Sequence, residues 1–140
     1  RYYLDRADTD VRTAVRMVRA AGGVAVLAHP LARRRGPVID LTVIAELAAE
    51  GLAGVEVDHP DHASADRAAL HELATALDLV ITGSSDYHGT NKTVSLGQET
   101  THPEALERIQ QLAMRSGVAV ASGCTGGQGT CASRRTPHAG

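Results

Sequence analysis

The stretch GLAGVEVDHPDHAS, residues 51–64, contains the end of one predicted helix, a strand, a loop and the start of another helix. Gly51 is typical of a helix C-terminus. GVEVD at 54–58 is short, apolar and rich in valine, which favours a buried strand. The polar residues that follow form a loop, and Ser64 can cap the next helix. The stretch therefore predicts one βα unit of a parallel sheet.

The same alternation continues in both directions along the chain. Apolar periodicity, with glycine and proline at the boundaries, predicts helices over 9–21, 38–50, 65–77 and from Pro103 to about 116, and strands over 24–28, 54–58 and 79–83. Strands that alternate with helices are typical of an α/β fold with a parallel sheet or barrel. We expect one partial domain over residues 1–120.

Composition limits the possible partners. The 140 residues carry a formal net charge of −2, so no overall basic field attracts nucleic acid or anionic membrane. No apolar run reaches the roughly 18 residues of a spanning helix, so we expect a cytoplasmic protein with no membrane contact and no obligate protein partner. Residues 121–140, which include Cys124 and Cys131, are rich in Gly, Ser and Thr and are predicted to be disordered.

Histidine and aspartate follow each of the three predicted strands. His29 follows the first, His59 and His62 follow the second, and Asp86 and His88 follow the third. The C-terminal ends of parallel strands share one edge, which carries the active site in α/β barrels. Imidazole and carboxylate are natural ligands of Zn²⁺, Mn²⁺ and Fe²⁺. The sequence therefore indicates a metal site at this edge.

Each of these residues also has a simpler interpretation. His29 precedes a proline and is more commonly a strand terminus, and Asp86 is of a type that often caps turns. His59 and His62 can equally be solvated loop residues. The three arginines at 33–35 are most often a solvated loop, with phosphate contact as the alternative. The repetition of the pattern at three strand ends favours the metal site.

Three segments together resemble the PHP family, named for polymerase and histidinol phosphatase. These are GGVAVLAHP (22–30), GLAGVEVDHPDH (51–62) and ITGSSDYHG (81–89). They are most similar to the stand-alone phosphoesterases, which include nucleoside bisphosphate phosphatases and a 5′-to-3′ exoribonuclease. The resemblance covers about residues 1–116 and implies the C-terminal part of a distorted (βα)7 TIM-like barrel.

The resemblance also implies roles for individual residues. His29 matches the metal ligand of the family's alanine-histidine-proline element, and Asp86 and His88 match the ligands of its final motif. His59 and His62 match a histidine-bearing loop, where a contact with substrate or with the ligands is possible. The implied cofactors are two or three divalent metal ions: Mn²⁺, Zn²⁺ or Fe²⁺.

The expected activity is hydrolysis of phosphoester bonds in nucleotides or oligonucleotide ends by metal-activated water. The alternatives are a histidinol-phosphate-type phosphatase and a non-catalytic remnant or binding module. The His-x-His element that opens the family's site is absent from the sequence. We therefore expect the N-terminal half of the barrel to be missing and the activity of this chain to be impaired.

Overall fold

The computed structural model of the chain describes residues 8–89 and 93–116, in which helices and strands alternate. The helices are α1 (Val11–Ala20), α2 (Leu41–Glu50), α3 (Ser64–Ala76) and α4 (Pro103–Arg115), and the strands are β1 (Val26–Leu27), β2 (Gly54–Asp58) and β3 (Val80–Gly83). A 3₁₀ turn at Arg33–Arg35 lies between β1 and α2.

The three strands form a parallel sheet in the order β1-β2-β3. Val26 is paired with Gly54, and Gly54 in turn with Val80, so β2 has a parallel partner on each side. The register between β2 and β3 shifts between Glu56 and Asp58. The predicted α/β class with parallel strands is confirmed. That this sheet is the C-terminal part of a distorted (βα)7 TIM-like barrel stays a prediction.

Several predicted boundaries differ in the structure. β1 has two residues where five were predicted: only Val26 and Leu27 pair with β2, and the backbone has left the extended conformation at His29, whose φ is 29°. α2 begins three residues later than predicted, because the Asp40 side chain accepts a hydrogen bond of 2.8 Å from Thr42 N–H and caps the helix there. Ser64, predicted as an N-cap, is instead the first residue of α3.

The core lies between the sheet and the helices α2 and α3. Ile44 and Leu47 of α2, Val55 of β2 and Leu70 of α3 have no solvent exposure. These aliphatic side chains form one cluster, in agreement with a sequence that has no Phe or Trp. Burial of such side chains is the dominant favourable contribution to folding.

Helix α1 packs on the outer face of α2 through ion pairs. Arg12 donates to Glu50 at 2.6 Å and also pairs with Glu46. Arg16 donates to the other carboxylate oxygen of Glu50 at 2.8 Å. These side chains are between 28% and 56% exposed, so solvent and salt screen the ion pairs and their contribution to stability is small.

The predicted disordered tail, with Cys124 and Cys131, lies outside the described residues. Among the helices of residues 8–89 and 93–116, none has the length and apolar character that crossing a membrane requires.

Two leucines allow a test of the core. Leu47 has no exposure, whereas the Leu96 side chain is 80% exposed. We expect Leu47→Ala to lower the free energy of unfolding by about 2–5 kcal/mol, because it leaves a cavity in the core. Leu96→Ala should change it by about 0.5 kcal/mol or less. Urea denaturation measures both, and equal effects would contradict this description of the core.

Candidate metal centre

The candidate residues lie together at the C-terminal edge of the sheet. The ring centroids of His29 and His59 are 5.1 Å apart, and those of His59 and His62 are 5.6 Å apart. Asp86 approaches from the β3 side, with its Oδ2 atom 3.9 Å from His59 Nε2. Residues from three different strand ends therefore form one cluster.

Arg35 lies in the middle of this cluster. Its Nε donates to Asp61 Oδ2 at 2.8 Å, and its Nη2 donates to Asp86 Oδ2. Its Nη1 lies 3.5 Å from His29 Nε2. The hydrogen bond from Arg35 holds the pKa of Asp61 below its usual range. One guanidinium thus connects side chains that follow β1, β2 and β3.

His88 contacts the same carboxylate from the other side. Its Nε2 lies 2.8 Å from Asp86 Oδ1, and its side chain is 64% exposed. Asp86 therefore has one oxygen facing Arg35 and the other facing His88. The three residues that the sequence predicts as metal ligands, His29, Asp86 and His88, lie at one edge of the sheet.

Hydrogen bonds of ordinary length fix the loop that carries Asp86. Ser84 N–H donates to Asp58 O at 2.9 Å, which ties the loop to the end of β2. Asp86 N–H donates to Ser84 Oγ at 3.1 Å. Ser85 Oγ donates to Glu99 O and accepts from Glu99 N–H, both at 2.9 Å. The loop is thus held at both its ends.

Two of the candidate ligands have an unusual backbone conformation. The φ angles of His29 and Asp86 are 29° and 47°, in the left-handed region. Side chains other than glycine rarely adopt it, although Asp and His do so more readily than most. Strained backbone of this kind is concentrated at functional sites. Asp78, which precedes β3 at the opposite end of the strand, also has a positive φ of 56°, so the strain accompanies two of the predicted ligands but is not confined to them.

His62 has a structural role. Its Nδ1 lies 2.9 Å from Val57 O, and its Nε2 accepts from Leu31 N–H at 3.3 Å. Because a carbonyl can only accept, Nδ1 carries the proton, and Nε2 is the acceptor. Both ring nitrogens are therefore used in joining β2 to the loop after β1, and His62 is not available to a metal ion.

His59 is buried with one ring nitrogen unsatisfied. Its Nδ1 accepts from Asp61 N–H at 3.0 Å, so the neutral ring carries its proton on Nε2. Nε2 has no hydrogen-bond partner within the described residues, and Asp86 at 3.9 Å is beyond hydrogen-bonding distance. Burial lowers the pKa of His59, the Arg35 charge acts in the same direction, and Glu56 opposes it.

Glu56 and Arg67 were not predicted from the sequence, and Arg35 was considered only as one of three loop arginines that can contact phosphate. Glu56 is buried in β2 and accepts from His29 N–H at 2.7 Å. The sequence did contain a sign of its role, because a carboxylate between two valines of a predicted buried strand needs a polar partner. Arg67 donates to His59 O at 2.8 Å and to Glu99 at 2.6 Å, which connects both site loops to α3. No pattern in the sequence indicated where Arg35 and Arg67 would reach.

The donor types at this edge fit a divalent metal ion. Imidazole nitrogens from His29 and His88 and carboxylate oxygens from Asp86 are suitable ligands for Zn²⁺ or Mn²⁺. The buried, unsatisfied Nε2 of His59 points to an additional polar partner at the site. Across residues 8–89 and 93–116, however, no three His, Cys, Asp or Glu side chains are grouped closely enough to hold a metal. The guanidinium of Arg35 lies between the side chains of His29 and Asp86.

The fold is similar to part of a phosphoesterase structure. A crystal structure from Bifidobacterium adolescentis, described as that of a metal-dependent phosphoesterase, matches 79% of the chain with a TM-score of 0.72 and 30% identity. The match covers 39% of that protein. The chain is thus related to a protein of the metal-dependent phosphoesterase class.

A relative with a more specific description matches in sequence. The phosphoribosyl 1,2-cyclic phosphate 1,2-diphosphodiesterase of Eggerthella lenta is 49% identical over 80 residues, which are 57% of this chain and 29% of the relative. The matched segments therefore cover less than half the length of both proteins. No protein-family model matches it.

The buried His59 predicts a pH dependence of stability. The folded state holds its ring neutral below the ordinary pKa of 6.5, whereas the unfolded chain binds the proton there. This stability is therefore present above pH 6.5 and lost as the pH falls below it. We expect the free energy of unfolding to fall by up to about 1.4 kcal/mol per pH unit from this group.

Urea denaturation at several pH values between about 7.5 and 5.5 measures the effect, because this range brackets the ordinary pKa of histidine. His59→Gln should reduce the pH dependence, and His71→Gln, on an exposed face of α3, should leave it unchanged. An NMR titration of the His59 ring should give a midpoint below 6.5. The same pH dependence in His59→Gln as in the native chain would contradict the assignment.

Proposed function

We propose that this chain is part of a PHP-like metal-dependent phosphoesterase and contributes three ligands to its metal centre. The proposal rests on one observation: His29 and Asp86 both contact the guanidinium of Arg35, and His88 contacts the other carboxylate oxygen of Asp86. The relation to two phosphoesterases supports the reaction class. The metal-site role of these residues is the step that experiments have to test.

Each residue has a distinct task in this proposal. His29 and His88 would bind the cation through neutral imidazole, and Asp86 would bind it through its carboxylate. A bound divalent cation would lower the pKa of water and neutralise charge on a phosphate group. His59 presents an Nε2 proton towards Asp86 and would orient that carboxylate, as residues next to metal ligands commonly do.

A cleft beside the centre has the composition of a phosphate site. It has a volume of about 750 Å³, and its lining includes Arg34, Arg35, Ser85 and Gln98. Arginine is well suited to phosphate, because its planar guanidinium donates two parallel hydrogen bonds. Hydroxyl and amide groups can bind the sugar. We therefore propose a phosphorylated sugar or nucleotide as the substrate class.

Among such substrates, a cyclic phosphate of ribose has specific support. The relative that is 49% identical over the matched segment is a phosphoribosyl 1,2-cyclic phosphate diphosphodiesterase, and its matched segment aligns with 57% of this chain. Nucleoside bisphosphates, oligonucleotide ends and histidinol phosphate place the same anionic group in the cleft. Substrate comparison distinguishes these possibilities.

The test is phosphoester hydrolysis with Mn²⁺, measured both as opening of the cyclic phosphate to a phosphomonoester and as release of inorganic phosphate when a second water cleaves the monoester. The chain is assayed alone and joined to the part of the Eggerthella lenta enzyme that its match leaves uncovered. We expect slow turnover by the chain alone, because three ligands hold a cation weakly, and faster turnover by the chimaera. In the chimaera, His88→Ala should lower the rate about 100-fold or more, since loss of even an indirect partner of a metal costs about 10–100-fold.

His102→Ala is the matched control. His102 precedes α4 and its side chain is 73% exposed, so its loss should leave the rate unchanged. Phosphoribosyl 1,2-cyclic phosphate and a nucleoside 3′,5′-bisphosphate are compared as substrates. Turnover that is indifferent to His88→Ala would refute the proposed site. A folded chimaera without turnover on either substrate would favour a non-catalytic binding module.

A further inference from the structure

Arg35 occupies the point at which the proposed ligands meet. Its guanidinium contacts carboxylate oxygens of Asp61 and Asp86 and lies beside the Nε2 atom of His29. Carboxylate oxygen and the lone pair of neutral imidazole are also the groups that a divalent cation requires. The guanidinium is therefore surrounded by the partners of a metal ion.

Arg35 and a metal ion cannot use these atoms together. The lone pair of His29 Nε2 either accepts a hydrogen bond from Arg35 or coordinates a cation. The same choice applies to Asp86 Oδ2, and the like charges of guanidinium and metal repel each other. The two occupants therefore exclude each other at this position.

We propose that Arg35 holds the cation position of this centre and competes with the metal, which binds only after the guanidinium has left Asp86 and His29. The inference rests on the proposed metal centre and adds a residue that controls its occupancy. Asp61 lies on the cleft side of Arg35 and is its remaining partner. A guanidinium that stays paired with Asp61 faces the same cleft as Arg34. Metal binding thus presents a second arginine to the phosphate group.

The backbone around Arg35 permits such a movement. The 3₁₀ turn at Arg33–Arg35 is exposed and is followed by Gly36, whose φ of 138° lies in a region open mainly to glycine. A Cβ atom at Gly36 would meet no atom within 4 Å. The turn is therefore not packed against the core on that side.

The competition has a measurable sign. The metal binds only those molecules in which Arg35 is displaced, so its apparent dissociation constant is the intrinsic one divided by the fraction of such molecules. Loss of the arginine should then tighten metal binding. A residue that only orients Asp86 would have the opposite effect, because its loss would leave the ligand less well placed.

The experiment is calorimetric titration of the 140-residue chain with Zn²⁺ alone. We expect Arg35→Gln to tighten binding by about twofold to fivefold relative to Arg34→Gln, a range typical of partly exposed ion pairs. Arg34→Gln is the matched control, because it removes the same charge from the same cleft. In the double variant Arg35→Gln and His88→Ala the gain should disappear, which assigns it to the proposed centre.

A second measurement uses the unmodified chain. In ¹⁵N NMR spectra, the Arg35 Nε–H signal should move as Zn²⁺ is added, and the Arg34 signal should move much less. Binding by Arg35→Gln that is no tighter than that of Arg34→Gln would overturn the inference. An Arg35 signal that stays fixed while Zn²⁺ saturates the chain would also overturn it.

The two proposals fail in different ways. Tighter Zn²⁺ binding by Arg35→Gln, with no hydrolysis of any substrate, would support the inference and count against the proposed function. Hydrolysis that depends on His88, with no effect of Arg35→Gln on Zn²⁺ affinity, would support the function and overturn the inference.

Discussion

The central strand β2 has a parallel partner on each side, and this pairing determines where every candidate residue lies. Parallel strands end at a common edge, so residues about thirty positions apart in the chain become neighbours. The close packing beside β3 depends on Gly83, where a Cβ atom would lie 2.5 Å from Thr100 O. The segment that returns from the Asp86 loop therefore runs directly against the end of the sheet.

Buried polar groups of β2 and of the loop after it extend this constraint to the loop after β1. Glu56 accepts from His29 N–H, and His62 bonds both Val57 O and Leu31 N–H. A buried polar group without a partner costs several kcal/mol in apolar surroundings, so these bonds restrict the loop to few arrangements. The hydrogen bond from His29 N–H to Glu56 helps to hold His29 in its left-handed conformation.

The sequence predicts the order of elements and the shared edge well, because both follow from hydrophobic periodicity and from the rule for parallel strands. It does not predict the length of β1, since that depends on which of its residues find a pairing partner on β2. His59 and His62 look alike in the sequence. Only their different hydrogen bonds separate a fully bonded ring from one with an unsatisfied Nε2.

The contacts of arginine are the least predictable part of the site. Three adjacent arginines carry the same local signal, yet Arg33 bonds Asp66 on α3 and Arg35 reaches Asp86 from β3, fifty-one positions away. A long side chain has many rotamers, and the choice among them depends on carboxylates that tertiary folding supplies. The charge balance at the edge follows from that choice. Arg35 pairs with the carboxylates of both Asp61 and Asp86 and so places one positive charge between two negative ones, and the lowered pKa of His59 means that this buried ring adds no second positive charge near neutral pH.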